Sequence, residues 1–134
     1  MTYDECFQRA QAVGSGLLGH NLCSDAEDMT FVKSKRMNFV GIYSKNRQEW
    51  GIIDMACLLY GITSIPLYDT LGIDNLTYCL DHTKMTSCFC TAQTVPNILK
   101  LKSHGNLKNI ILIDKPSQEI VDDLQKNFKI MYLE

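Results

Sequence analysis

Apolar positions in the middle of the chain recur at helical spacing. Trp50, Ile53, Cys57 and Tyr60 are separated by three or four residues, which predicts one face of a helix. This face is widened by three further residues, Ile52, Ala56 and Leu59. Gly61 follows, and glycine readily adopts the positive φ that ends many helices. We therefore expect a helix that is covered on most of its sides.

The start of this helix carries polar residues that are suited to capping. Asn46 can accept hydrogen bonds from the free N–H groups of the first turn, and Glu49 lies three residues further on, the spacing of a capping box. Trp50 begins the apolar face, so we expect it to be buried. On that expectation, replacing it with alanine costs about 3–5 kcal/mol.

Short apolar runs alternate with segments of helical periodicity through the rest of the chain. The runs predict strands at residues 38–44, 63–67, 86–90, 109–113 and 130–133. The periodic segments predict helices at about residues 2–18, 46–60, 72–82, 96–101 and 119–128. The run at 63–67 is too short and too apolar to face water. This alternation predicts a single α/β domain with a mostly parallel sheet.

One polar stretch interrupts the alternation. Residues 22–35 carry the three acids Asp25, Glu27 and Asp28, which predicts a loop that tolerates change. Lys33, Lys35 and Arg36 form the only dense basic patch of the chain. The patch is short and lies in this loop, so we interpret it as a solvated surface rather than a binding site.

Composition and charge narrow the class of protein. The chain has 134 residues, of which 46% are hydrophobic and 21% charged, which is typical of a globular domain that buries a core. The formal net charge of −2 gives no electrostatic case for binding nucleic acid. No apolar run approaches the ~20 residues of a membrane helix, and the first residues do not resemble a signal peptide.

The six cysteines predict buried free thiols in a reducing compartment. No CxxC pair is present, so a zinc site is not expected. Cys88 and Cys90 are two apart on a predicted strand, which places them on one face at a spacing too strained for an ordinary disulfide. We therefore expect the chain to face the cytosol.

Other candidate sites are weak. Residues 14–19 match GxGxxG, but no strand precedes them and no acid follows in the next strand, so we attribute the glycines to close helix packing. His20, His82 and His104 are scattered and predict no metal site. Asp54 is the one acid of an apolar helix. It either lies half-buried with a partner or occupies the narrow solvent-exposed side of the helix.

The strand at 63–67 runs into the segment Pro-Leu-Tyr-Asp-Thr-Leu-Gly at residues 66–72. Asp69 and Thr70 form turns and caps readily, and Gly72 allows the next helix to begin. Tyr68 and Asp69 follow a parallel strand, and α/β sheets place ligand-binding loops at that end. This segment is the best local candidate for a functional position, with turn and cap chemistry as the plainer alternative.

This segment also carries a family resemblance. The chain resembles long-chain fatty acyl-CoA synthetases, a branch of the adenylate-forming enzymes, over about residues 2–133. Two departures occur where the family commonly has proline, at Gln48 and Ile73, both near helix starts where proline is merely convenient. The matching residues are Asn46, Arg47, Glu49, Trp50, Ala56, Cys57, Pro66, Leu67, Tyr68, Asp69, Thr70, Leu71 and Gly72.

The resemblance implies an α/β fold that forms the N-terminal portion of an AMP-binding (adenylation) domain, spanning residues 1–134. It implies that the parent enzyme uses ATP, Mg²⁺ and coenzyme A to convert a long-chain fatty acid through an acyl-adenylate to acyl-CoA. The family's phosphate-binding loop, ribose-binding Asp and catalytic Lys match no position here. We therefore expect no catalytic, cofactor-binding or metal residue in this chain, and a structural role for the motif residues.

Expectations about partners follow from the same resemblance. The chain should provide scaffold, be inactive alone, and pack against the remainder of the adenylation domain. Without it, we expect a contiguous exposed apolar patch and self-association. The parent enzyme is expected on an internal membrane, namely the endoplasmic reticulum, the mitochondrial outer membrane or the peroxisome. Two alternatives stay open: a freestanding non-catalytic α/β binding or regulatory module, and an amino-acid-activating relative, which the 66–72 segment disfavours.

Overall fold

A computed structural model describes residues 1–26 and 37–133. Five helices alternate with six strands in this part of the chain. The helices are α1 Tyr3–Gly19, α2 Gln48–Leu59, α3 Ile73–Thr83, α4 Val95–Leu99 and α5 Gln118–Gln125. The strands are β1 Ser24–Ala26, β2 Met37–Tyr43, β3 Thr63–Leu67, β4 Ser87–Cys90, β5 Asn109–Leu112 and β6 Lys129–Tyr132.

All strands join one sheet. Its parallel part has the order β3-β2-β4-β5-β6, and β1 is antiparallel to the start of β2. In register, Tyr43 at the end of β2 lies between Leu67 and Cys90. The carboxyl ends of these strands therefore meet at one edge of the sheet, and the predicted α/β class with parallel strands is confirmed.

One face of the sheet is closed by three helices. Leu76 and Leu80 of α3, Ile98 of α4 and Leu124 of α5 have no exposed surface and pack in one cluster. This cluster contains the strand residues that point to the same side, namely Tyr43, Cys88, Cys90, Ile110 and Leu112. A fully covered face of this kind is what a parallel sheet requires.

The opposite face is covered by α1 and α2, which pack on each other closely. A Cβ placed on Gly14 of α1 would lie 2.1 Å from the ring of Tyr60, just after α2. The Tyr60 hydroxyl donates to the Gln11 carbonyl oxygen at 3.0 Å. The GxGxxG segment is thus part of a helix, and close packing is confirmed at Gly14.

The ends of α2 confirm one prediction and correct another. Gly61 has φ +65°, and the Ile62 N–H donates to the Cys57 carbonyl oxygen at 2.9 Å, as in a Schellman cap. At the other end, the cap residue is Arg47, which makes no side-chain capping bond. The predicted cap at Asn46 is wrong, because the helix starts one residue later than its polar residues suggested.

The predicted burial of α2 and β3 is also wrong in part. Leu58 is 77% exposed and Leu59 46% exposed, so α2 is open on one side. β3 pairs only with β2 among the described residues, and its residues are half-buried except the exposed Pro66 and the buried Leu67. The run at 63–67 is therefore an edge strand, which periodicity cannot distinguish from a central one.

The segment predicted as a polar loop at residues 22–35 begins differently. Ser24–Ala26 form β1, because pairing with β2 supplies backbone hydrogen bonds that a short polar segment can use. Just before it, the Leu22 carbonyl oxygen accepts from the hydroxyls of Thr86 and Ser87 at the start of β4. Lys33, Lys35 and Arg36 lie outside the described residues.

Candidate functional site

An ionic network joins the loops at the carboxyl edge of the sheet. Arg47 follows β2, and its Nε donates to Glu49 Oε2 at 2.7 Å. Its Nη1 donates to Asp114 Oδ2, also at 2.7 Å. Asp114 follows β5, so one guanidinium links two loops that are 67 residues apart in the chain. Charge-assisted bonds of this geometry are stronger than neutral ones.

A third loop joins the network through its backbone. The Ala92 N–H, just after β4, donates to the second carboxylate oxygen of Asp114. Asp114 thus bridges the guanidinium of Arg47 and a backbone donor. Because β4 lies between β2 and β5 in the sheet, the network spans three adjacent strand ends.

The ion pair changes how its members titrate. The hydrogen bond from Arg47 lowers the pKa of Glu49 from 4.5 to about 2, because it stabilises the charged carboxylate. The same bond, with that to Asp114, raises the pKa of Arg47. The side chains are 16% exposed for Glu49 and 31% exposed for Arg47. The network is therefore charged at neutral pH and only partly screened by water.

A second, neutral cluster lies beneath it. The hydroxyl of Thr94 donates to the Tyr43 carbonyl oxygen at 2.7 Å and accepts from the Thr91 N–H at 3.0 Å. The Asn97 side chain donates to the Tyr43 hydroxyl at 3.0 Å. Burial raises the pKa of Tyr43, so its hydroxyl stays protonated. These bonds tie the β4–α4 connection to the end of β2.

The 66–72 segment is linked to the same edge more loosely. Lys45 Nζ lies 3.4 Å from Asp69 Oδ2, and the Lys45 side chain is 57% exposed, so the pair contributes little. The Leu71 N–H donates to the Tyr68 carbonyl oxygen at 3.0 Å and forms the predicted turn. Gly72 is the cap residue of α3, without a side-chain capping bond.

The structure separates the motif residues by role. Arg47 and Glu49 belong to the ionic network, and Leu67 is in the core. Trp50 is half-buried at the border of the α1–α2 cluster, so the prediction of a buried tryptophan holds only in part. Tyr68 is 61% exposed. Four members, Asn46, Pro66, Thr70 and Gly72, lie on the surface.

Sequence analysis missed Asp114, Thr91 and Thr94. The signal for Asp114 was present, because it follows a strand in the same way that Asp69 follows β3. Residues that follow parallel strands meet at one edge, and this rule applied to every predicted strand points to Asp114. Thr94 donates to a backbone oxygen 51 residues earlier in the chain, and no local pattern indicates such a contact.

The other sequence candidates have structural partners. Asp54 is half-buried and accepts from the Ser64 hydroxyl at 2.6 Å, which confirms the paired alternative. His104 contacts the Ile98 carbonyl oxygen at 3.1 Å and the edge of Phe128, and His82 stacks on Tyr78. His20 is exposed on the surface.

The prediction of buried free thiols holds in part, because Cys57, Cys88 and Cys90 are buried and the other three cysteines are only half-buried. All six are free thiols. Cys88 and Cys90 share the closed face of the sheet, as expected, and burial with a neighbouring thiol keeps the pKa of Cys90 high. Burial also raises the pKa of Cys57 to about 12, so the thiols of Cys57 and Cys90 are poor nucleophiles.

Metal-binding clusters and membrane-spanning helices are both absent from residues 1–26 and 37–133. Nowhere in these ranges do three or more His, Cys, Asp or Glu side chains converge on a point where a metal could bind. The helices in the same ranges are too short or too polar to cross a bilayer.

Comparison with known families decides the class. The sequence pattern of the family described as "AMP-binding enzyme" matches residues 1–131. This chain belongs to the AMP-binding enzyme family. The match begins before α1 and ends within β6, the last described strand.

The curated relatives of this chain are named as long-chain acyl-CoA synthetases or long-chain fatty acid–CoA ligases. This chain is 40% identical over 99 residues to "Long chain acyl-CoA synthetase 7, peroxisomal" of Arabidopsis thaliana. The match covers 74% of this chain and 12% of that protein. It is also 32% identical over 130 residues to "Long-chain-fatty-acid--CoA ligase 6" of Homo sapiens. That match covers 94% of this chain and 17% of the human protein. The resemblance found in the motif residues is thereby confirmed, and the chain spans less than a fifth of these relatives.

Solved structures show the same fold. The adenylation domain of a carboxylate reductase from Mycobacterium chelonae superposes with a TM-score of 0.75 at 16% identity, over 99% of this chain and 21% of that one. An anthranilate CoA ligase in complex with anthranoyl-AMP gives 0.70 at 16% identity, over 95% and 22%. The chain thus has the fold of part of these adenylate-forming domains.

Proposed function

We propose that this chain is the N-terminal portion of the adenylation domain of a long-chain fatty acid–CoA ligase. The observation that carries the proposal is the family match over residues 1–131 together with relatives named as long-chain ligases. The parent would use ATP and Mg²⁺ to make a fatty acyl-adenylate and then pass the acyl group to coenzyme A. It would act from the cytosolic side of an internal membrane, and two Arabidopsis relatives are named as peroxisomal.

Within that enzyme the chain would serve as scaffold. The ionic network of Arg47, Glu49 and Asp114 holds three loops at the carboxyl edge, where α/β enzymes place their ligands. The side chains of Arg47, Glu49 and Asp114 are bonded to one another, which supports a positioning role. ATP, fatty acid and coenzyme A would contact groups supplied by the remainder of the domain.

A chimera tests the proposal. Residues 1–131 replace the matched stretch of the human ligase 6, and acyl-CoA formation is measured from palmitate, ATP and coenzyme A. The expected result is a folded, active chimera, because the exchanged stretch is the one that the family pattern matches. The matched control is the same chimera carrying Arg47→Ala, which should lose activity through displaced loops while keeping the circular dichroism of a folded protein.

Two outcomes contradict the proposal. A chimera that melts cooperatively and yet makes no acyl-adenylate would favour a freestanding non-catalytic module. Adenylate formation by the isolated 134-residue chain would contradict the scaffold assignment, because it would place the phosphate-binding groups within this sequence.

A further inference from the structure

The outer edge of β6 carries backbone groups that no described strand uses. β6 pairs only with β5 in the described part of the chain. The gap in the described residues is flanked by Ala26 and Met37, which are paired with each other on β1 and β2, three strands away from β6. An edge strand of this kind is a template for pairing with another chain.

The hydrogen bonds between β5 and β6 determine which groups point outward. The N–H groups of Lys129 and Leu133 donate to carbonyl oxygens just before β5 and at its end, at 2.8 and 2.9 Å. In a parallel ladder, alternate residues direct both of their backbone groups to the same neighbouring strand. Met131 therefore also faces β5, and the N–H and C=O groups of Ile130 and Tyr132 point away from the sheet.

The spacing of these outward groups is self-complementary. Ile130 and Tyr132 can pair with the same two residues of a second copy that runs in the opposite direction. Ile130 then lies opposite Tyr132 of the second copy, and Tyr132 lies opposite its Ile130. Each such pair exchanges two hydrogen bonds, so the two pairs make four. Met131 lies on the two-fold axis of this arrangement, opposite the same residue of the second copy.

The side chains beside this edge are apolar on both faces of the sheet. Ile130 packs against the cluster on the closed face, and Met131 and Leu133 pack against the cluster under α1 and α2. All three are half-buried, so a neighbouring strand would cover them further. In the antiparallel register Lys129 lies opposite Leu133 of the second copy, so the two lysines do not face each other.

An apolar groove lies beside the same edge. Its volume is about 330 Å³, and its floor includes Ile111, Met131 and Leu133 next to α1. A second copy paired with β6 brings its own Met131 and Leu133 alongside, so the floors of the two grooves join. Burial of this apolar surface adds to the backbone hydrogen bonds.

We propose that the β6 edge joins two copies of this chain into a two-fold symmetric dimer with one continuous sheet. Because the same surface is used on both chains, the contact closes on itself and adds no third copy. The paired edge is short, which places the dimer among the weak interfaces. The proposal rests on the strand edge and does not depend on the ligase assignment.

A charge swap at the two-fold axis tests the register by sedimentation equilibrium. Met131→Lys places two ammonium groups opposite each other and should leave a monomer, and Met131→Glu should do the same with two carboxylates. An equimolar mixture of the two variants should associate again, because opposite charges then meet at the axis. The matched control is Leu58→Lys on α2, where the leucine is 77% exposed, and this variant should dimerise like the unchanged chain.

Removal of one backbone donor tests the ladder. Tyr132→Pro removes an outward N–H and leaves the bonds between β5 and β6 in place, because an edge strand accepts proline where its N–H faces solvent. Two of the four bonds are lost in the dimer, so the dissociation constant should rise at least about tenfold. Tyr132→Val keeps the N–H and should stay within about threefold of the unchanged chain. Circular dichroism checks that each variant is folded.

Three results would overturn the proposal. One is a monomer of the unchanged chain at concentrations up to about 1 mM, which would leave the edge to a strand of another protein. Another is a mixture of the two Met131 variants that fails to associate, and the third is loss of the dimer in Leu58→Lys, which would place the contact on α2. If the Met131 variants unfold, Tyr132→Pro and Tyr132→Val decide, and equal dissociation constants for these two contradict the ladder.

Discussion

The two faces of the sheet differ in how completely this chain covers them. The face beneath α3, α4 and α5 is closed, and Leu76, Leu80 and Leu124 have no exposed surface there. The face beneath α1 and α2 is closed only over the first strands and opens into a groove at β5 and β6. The same sheet therefore has one face that is a finished core and one that can accept a ligand or another surface. The helices on each face cover only part of the sheet, because each crossover helix covers only the strands that it connects.

The largest contrast is expected from truncating one side chain on each face. Leu80→Ala removes a side chain with no exposed surface, so the free energy of unfolding should fall by about 2–5 kcal/mol. Met131→Ala in the groove should cost less than about 1 kcal/mol, because its side chain is already half-exposed. Urea unfolding measures both, and equal losses would contradict the difference between the faces.

A smaller effect is expected at the α1–α2 contact. Gly14→Ala places a methyl group against the Tyr60 ring, and overpacking should lower stability by about 1–3 kcal/mol. Gly16→Ala, two residues away, meets no atom and should raise stability by about 0.5–1 kcal/mol. Opposite shifts in melting temperature would support the packing, whereas shifts of the same sign would argue that helix propensity alone governs α1.

The ionic network gives a pH-dependent contrast with the neutral cluster beneath it. Because the pKa of Glu49 is about 2 in the folded chain against an ordinary 4.5, its contribution is present above pH 4.5. That contribution is lost as the pH falls from 4.5 towards 2. Glu49→Gln should lower stability at pH 7 by about 1–2 kcal/mol and flatten the loss between pH 4.5 and 2.

The control for that prediction is a change in the neutral cluster. Thr94→Val should lower stability by about 1–2 kcal/mol, because it leaves the Tyr43 carbonyl oxygen without its donor. Its effect should be the same at every acidic pH, since no member of that bond titrates there. Stability curves of the two variants that run in parallel would refute the assigned pKa of Glu49.

Much of this fold could be predicted because its signals are local. The helix periodicity of α2, the glycine after it and the continuous apolar run of β5 each specify an element by themselves. The position of an element within the sheet is a different kind of information. The run at 63–67 reads as buried and yet forms an edge strand, because pairing depends on strands that come later in the chain.

The candidate site was less predictable for the same reason. Arg47 and Glu49 stood out through the family motif, and their contact spans two residues. Asp114 completes the network from 67 residues away, and the Ala92 contribution is a backbone donor that has no side-chain signature. The predicted cap at Asn46 was wrong because capping signals tolerate a shift of one residue.

Pro66 has a consequence for how the sheet can grow. It lies in β3, which has β2 as its only partner in the described part of the chain, and proline brings no N–H to a new neighbour. A further strand added there would lack a hydrogen bond, whereas Lys129–Tyr132 of β6 contains no proline and presents an unbroken backbone. The two edges of the sheet therefore differ. The β3 edge discourages edge-to-edge aggregation, and the β6 edge is open to a new strand.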